Sequence, residues 1–150
     1  MAIFLPGLYD GGAERTLLNL AEGIAARGYP VDLVLARAEG AYMSEIPDSV
    51  RVIDLKARRV LMCLPALIRY LRSERPTALL ATLYANIIAV WARRMTGIPR
   101  RVVINEQNTL TSVSNGENDL RWKLYPELAK WFYPWADGIT AVSRGVADDL

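Results

Sequence analysis

The chain contains no histidine, a single cysteine, only two phenylalanines and no marked surplus of either charge. Without histidine it cannot build a Ser-His-Asp triad, a Cys-His pair or a His-ligated zinc site from its own residues. Chemistry falls instead to carboxylates, amides, hydroxyls, backbone N–H groups or a partner. The lone cysteine, Cys63, excludes an internal disulfide and fits a reducing compartment. It lies in "VLMCLPALI", which marks it as a core filler rather than a nucleophile. Eighteen basic residues face sixteen acidic ones, a net charge of +2. The basic residues are scattered pairs, so no nucleic-acid partner is expected.

A long apolar run is also missing. The uncharged stretch from Pro76 to Ala92 is slightly short for a membrane span and holds Thr82, Tyr84 and Asn86. It reads as a buried strand followed by a helix. The opening "MAIFLPGLYDGG" has no basic region and too short an apolar run for a signal peptide. The expectation is a soluble, cytoplasmic chain.

What is present is 150 residues, 52% hydrophobic and 23% charged, enough for a single domain with a real core. No repeat or low-complexity segment interrupts it. Ala2–Leu5 reads as a short buried strand. From about Gly12 to Arg27 a helix places Ala13, Leu17, Leu20, Ala21 and Ile24 on one face, with Gly28 ending it and Pro30 barring continuation. Strands are predicted at "VDLVLA" from Val31, "VRVIDL" over Val50–Leu55, "ALLATL" from Ala78, "RVVIN" from Arg101 and "GITAV" from Gly138. Helices are predicted through Val60, Leu64, Leu67 and Leu71, with Pro65 shortening or kinking the first. The next carries Ile87, Ile88, Trp91 and Met95 and closes at Gly97. After the polar loop "EQNTLTSVSNGEND", a helix starts near Asn118 and breaks at Pro126 or Pro134. The last opens behind Ser143 as N-cap.

Apolar strands alternating with amphipathic helices imply an α/β fold, a Rossmann-like, doubly wound and mostly parallel sheet covered on both faces. Ligands in such sheets sit beyond the carboxyl ends of the strands. That edge is expected to carry "GLYDGGAE", "YAN", "NEQN" and "SRG". Gly7 to Gly12 matches the G-x4-G half of a phosphate loop, but Ala13-Glu14 replaces the Lys-Ser/Thr pair, which argues against an NTPase. Asp32 by itself is weak support for a nicotinamide site. Gly11 and Gly12 lack Cβ atoms, so a diphosphate can approach their N–H groups at the positive end of a helix, and a tight turn before an ordinary helix reads equally well.

The wider string "GGAERTLLNLAEGIAARGYPVDLVL" resembles the opening of family 4 glycosyltransferases, and "RVVINEQN" and "YPWADGITAVSRGVADDL" extend the resemblance along the chain. Tyr29 stands where the family commonly has histidine. The resemblance implies the N-terminal, acceptor-side half of a two-domain GT-B enzyme. Residues 1–150 would then be a fragment, stopping inside a helix, that lacks the C-terminal donor-binding domain. It implies transfer of a sugar from a nucleotide-sugar donor to an acceptor hydroxyl, with retention and no essential cofactor or metal. A glycan or lipid-linked acceptor, in cell-envelope polysaccharide or glycolipid synthesis, would suit that chemistry. The alternatives are a stand-alone anion- or nucleotide-binding domain without turnover, and a nucleotide-sugar epimerase of the same fold.

Under this resemblance Gly11, Gly12, Ala13, Glu14 and Arg15 face the donor phosphates. The spacing of Glu14 and Glu22 mimics the family's E-x7-E motif, which belongs to the other domain, so Glu22 is expected in solvent. Many relatives have a histidine near "NEQN", and here Glu106 and Gln107 are the catalytic candidates instead. Tyr84, Asn86, Asn105, Asn108, Ser143 and Arg144 are candidates for acceptor or sugar binding. Trp122, Trp131, Phe132, Tyr133 and Trp135 lie among Arg121, Lys123 and Lys130. They read either as a packed helix face or as a peripheral contact with the inner face of a membrane. The pairs Arg58-Arg59, Arg93-Arg94 and Arg100-Arg101 suit docking of an anionic membrane or acceptor.

Overall fold

Six short runs of β-branched and aliphatic residues pair side by side, all in parallel, in the order β3-β2-β1-β4-β5-β6. They are β1 (Ala2–Leu5), β2 (Val31–Leu35), β3 (Val50–Asp54), β4 (Ala78–Thr82), β5 (Arg101–Glu106) and β6 (Gly138–Ala141). The expected doubly wound parallel sheet is the one observed. This computed structural model describes residues 1–108 and 120–149. The helices are α1 (Gly12–Ala25), α2 (Leu64–Glu74), α3 (Ala85–Thr96), α4 (Leu120–Phe132) and α5 (Arg144–Asp148). Short 3-10 turns cover Ala41–Glu45, Val60–Cys63 and Tyr133–Trp135.

Strand side chains alternate between faces, and the two cores follow that period. Ile3, Leu5, Leu33 and Leu35 meet Leu17, Leu18 and Ala21 of α1. Ala2, Phe4, Val34, Leu79, Ala81, Val102 and Ile104 pack beneath α2, α3 and α4 on the other side. Each large aliphatic or aromatic side chain buried there contributes about 1.5–3 kcal/mol. Cys63 is fully buried among them, and burial pushes its thiol up to about 12, so it is a core filler as expected.

One local expectation changes, and two are decided between their alternatives. The buried stripe of α1 is Glu14, Leu17, Leu18 and Ala21, spaced i, i+3, i+4, i+7, while Leu20 faces solvent. Pro65 shortens the helix rather than kinking it: it sits in the first turn of α2, where its missing N–H costs nothing, and Val60–Cys63 forms a separate 3-10 turn. α4 runs through Pro126, and the change of helix type falls at Tyr133, beside Pro134. The expected start near Asn118 and the loop from Thr109 lie outside the described residues.

Candidate functional site

The strand order reverses between β1 and β4, so the chain leaves these neighbours in opposite directions and opens a crevice at their carboxyl ends. Two segments enter it: Pro6–Gly11 after β1, and Leu83–Tyr84 after β4. The first is braced by its neighbour beyond β2. Leu8 N–H donates to Glu39 O at 2.9 Å, Tyr42 N–H donates to Leu8 O at 3.1 Å, and Tyr9 Oη donates to Glu39 Oε1 at 2.6 Å. The Glu39 carboxylate, more than burial, pushes the Tyr9 hydroxyl up to about 12. Gly40 makes the brace possible: its φ is +125°, and a Cβ there would overlap the Leu8 carbonyl.

The braced segment delivers the head of α1. Gly11 is its N-cap, in extended conformation, with no side-chain cap. The first N–H groups of a helix have no partner within it, and those of α1 follow directly on the segment after β1. The two glycines differ. The buried Glu14 carboxylate lies against Gly11, whereas nothing stands within 4 Å of where a Gly12 Cβ would be. The open approach to the helix terminus is therefore over Gly12. Arg15 is turned away: its guanidinium pairs with Glu45 and lies 4.9 Å over the Tyr42 ring. Glu22 is exposed, as expected.

The second group of candidates, at the ends of β4 and β5, is a buried network. Glu106 is 2% exposed. Tyr133 Oη donates to its Oε2, Asn86 Nδ2 lies 3.5 Å from the same oxygen, and the Gln107 N–H donates to Oε1 at 3.2 Å. Tyr125 and Tyr133 hydroxyls stand 2.9 Å apart, and Tyr125 Oη also donates to Leu83 O at 3.1 Å. Burial raises the Glu106 carboxyl above the usual range, partly offset by the Tyr133 hydrogen bond. Asn86 is wholly buried, and its Oδ1 lacks a hydrogen bond among the described residues. Gln107 Nε2 donates to Asn105 Oδ1, and Asn105 Nδ2 donates to Thr140 Oγ1 at 2.8 Å. Asn108 is exposed. The Glu106 carboxylate thus faces inward, holding β5, α3 and the end of α4 together.

Ser143 caps α5, its Oγ accepting the Val146 N–H at 3.3 Å, and Arg144 is exposed beside it. Both follow β6, three strand spacings from β1, or about 14 Å along the edge. They do not join the β1/β4 crevice. Asp32 lies near the opposite, amino end of β2, where Arg51 grips it at 2.7 and 2.8 Å and Tyr70 donates at 2.6 Å. Burial opposes the charge of Asp32, but these hydrogen bonds hold its carboxyl below the usual range. It is not placed to read a ribose.

The aromatic cluster splits. Tyr125 and Tyr133 are buried, while Trp131 is 73% and Trp135 43% exposed, with Arg94 5.6 Å over the Trp135 ring. Phe132 stacks edge-on between Trp91 and Trp135. The side chains of Arg121, Trp122 and Lys123 lie outside the described residues. No helix among the described residues is long and apolar enough to cross a membrane.

A cavity of about 220 Å³ lies beyond β1, β2, β3 and β4, with Tyr9, Arg37, Glu39, Arg58, Arg59 and Tyr84 on its walls. Of these only Tyr84 was a single-residue candidate. Tyr9 falls within "GLYDGGAE", expected at this edge, whereas Arg37 and Glu39, two and four residues beyond β2, carry no motif that marks them in the sequence.

A parallel sheet with this strand order and a Gly-Gly helix start at the reversal defines a doubly wound α/β domain. The chain belongs to glycosyltransferase family 4, whose model matches residues 10–150. Among solved structures it is similar to MurG of Acinetobacter baumannii, with a TM-score of 0.61, 16% identity, and 93% of this chain and 40% of that chain covered. It also overlaps UGT2 of Phytolacca americana in its apo form, with a TM-score of 0.46, 15% identity, and 87% and 33% covered. The chain thus spans well under half the length of these structures. No curated protein matches the sequence.

Proposed function

We propose that this chain is the acceptor-side domain of a two-domain GT-B glycosyltransferase that moves a sugar from a nucleotide-sugar donor to an acceptor hydroxyl. The observation that carries the reading is the open, uncapped head of α1 at the sheet's reversal point, within a chain of family 4. The donor diphosphate approaches Gly11, Gly12 and Ala13 through their N–H groups, and a C-terminal domain holds its nucleotide. In the reaction the acceptor oxygen bonds the anomeric carbon, the bond from that carbon to the diphosphate breaks, and the acceptor proton leaves with the nucleoside diphosphate. We assign retention of configuration and no cofactor.

Glu106 and Gln107 act in this reading by positioning: the buried carboxylate fixes the backbone after β5, and the Gln107 amide faces Asn105. Arg15, bound to Glu45, secures α1 rather than the phosphate. The exposed Trp131 and Trp135, with Arg94, support a peripheral contact with an anionic membrane face, where glycolipid or cell-envelope acceptors reside. The test follows release of nucleoside diphosphate by the natural full-length protein from a panel of nucleotide sugars, with and without sugar acceptors. Turnover of one donor that depends on an acceptor is expected, and Gly12→Val lowers it at least ~10-fold by closing the approach to the helix terminus. Nucleotide binding with no turnover of any donor would overturn the reading in favour of a binding domain.

A further inference from the structure

The cavity beyond β1–β4 has a charge imbalance that the fold does not resolve. Three arginines and one glutamate line it. Glu39 is already engaged, pairing with Arg37 Nε at 2.8 Å and accepting the Tyr9 hydroxyl. Arg58 and Arg59 are exposed, and neither side chain makes an ion pair or hydrogen bond among the described residues. Two guanidinium groups therefore enter one concave surface without a carboxylate to answer them.

Their loop is rigidly held. The Asp54 carboxylate at the end of β3 accepts the Ala38 N–H at 3.1 Å and the Lys56 N–H at 2.9 Å, tying the segments after β2 and β3 together. Leu55 N–H donates to Leu35 O and Ala57 N–H to Ala36 O, each at 2.9 Å, so pairing continues beyond the strands. Lys56 adopts a left-handed φ of +53°, held by these bonds, and it turns the chain so that Arg58 and Arg59 follow directly. The backbone that carries the two guanidinium groups is thereby fixed, and a guanidinium fork matches a planar or tetrahedral oxyanion in geometry. Tyr9 and Tyr84 line the same cavity, and tyrosine rings offer apolar faces with polar tips, the surface a sugar ring packs against. Neither Gly11 nor Gly12 lines this cavity, so it is separate from the open head of α1.

We propose that this cavity is the subsite for an anionic acceptor: a sugar bearing a phosphate or carboxylate, whose oxyanion is held by Arg58 and Arg59 while its ring rests on Tyr9 and Tyr84. The proposal rests on the transferase reading and narrows its acceptor to one charge class.

The test is a calorimetric titration of the natural full-length protein with glucose, glucose 6-phosphate, glucuronate and inorganic phosphate, repeated on R58Q/R59Q. Circular dichroism and the melting temperature confirm that the variant is folded. A control titration uses UDP. Glucose 6-phosphate or glucuronate is expected to bind at least ~10-fold more tightly than glucose, to weaken with added salt, and to lose that advantage in R58Q/R59Q while UDP binding is unchanged. Which of the two binds more tightly distinguishes phosphate from carboxylate. If UDP binds but the anionic sugars bind no better than glucose, or bind the double variant as well as the natural chain, the anionic subsite is overturned and the transferase reading stands. If inorganic phosphate binds as tightly as glucose 6-phosphate, the site reads no sugar and the acceptor role is overturned, while the transferase reading, tested separately by donor turnover, stands.

Discussion

A methyl group built on Gly11 would overlap the Glu14 carboxylate, whereas one built on Gly12 meets no atom within 4 Å. At Gly40 the obstacle is backbone, the Leu8 carbonyl, and φ is +125°. These facts rank three alanine substitutions by urea denaturation. Gly40→Ala has no side chain to push aside and costs about 2–4 kcal/mol. Gly11→Ala displaces only the far end of Glu14 and costs under about 1 kcal/mol. Gly12→Ala, in the first turn of α1, leaves stability unchanged or raises it by up to about 1 kcal/mol. If Gly12 serves only the turn, the alanine variant binds pyrophosphate as the natural chain does; if it serves a phosphate, affinity falls about tenfold while stability does not. The two glycines are legible in the sequence as an adjacent pair at a strand-helix junction, which marks a tight turn or a phosphate approach alike. Their division of labour is not, since it depends on which way Glu14 turns.

Elements were read well where the signal was local. All six strands show as short apolar runs, and Gly28 and Gly97 close α1 and α3 with φ of +84° and +67°. The turn Ala41–Glu45 was missed because "AYMSE" is too short to show a period. Leu18 and Leu20 were exchanged because the stripe of α1 begins at Glu14, a residue whose charge suggests solvent. Partnerships between elements were illegible for a different reason. Tyr9 with Glu39 and Arg15 with Glu45 are each 30 residues apart, and Tyr133 with Glu106 is 27 apart, distances that only the topology closes. That last pair supports a prediction at this scale. Burial raises the Glu106 carboxyl, so between the unfolded value near pH ~4.3 and the higher folded one the native state binds more proton than the unfolded chain. Stability from this group is complete below that pH and is lost as pH rises through the folded value. Glu106→Gln keeps the size and neutrality of the protonated acid. Its melting temperature is therefore expected to match the natural chain near pH 4 and to exceed it increasingly towards pH 7. A gap that is constant with pH would show that the buried carboxyl does not carry the proton.

For the whole molecule, the strand order gathers segments far apart in sequence onto one edge and sorts them by distance from the reversal point. Gly11, Gly12 and Tyr84 flank it, the Asn86–Glu106 network supports the neighbouring strands, and Ser143 and Arg144 stand beyond β6. The central claim is that the head of α1 receives a diphosphate. The measurement that tests it most directly is a two-dimensional amide NMR titration of this chain with pyrophosphate, UDP, GDP and ADP at millimolar concentration. The account predicts that the Gly11, Gly12 and Ala13 amide signals move first and furthest for every diphosphate, and not for uridine. Signals at Gly11–Ala13 that stay in place, whether those of Arg58 and Arg59 move instead or none move at all, would contradict it.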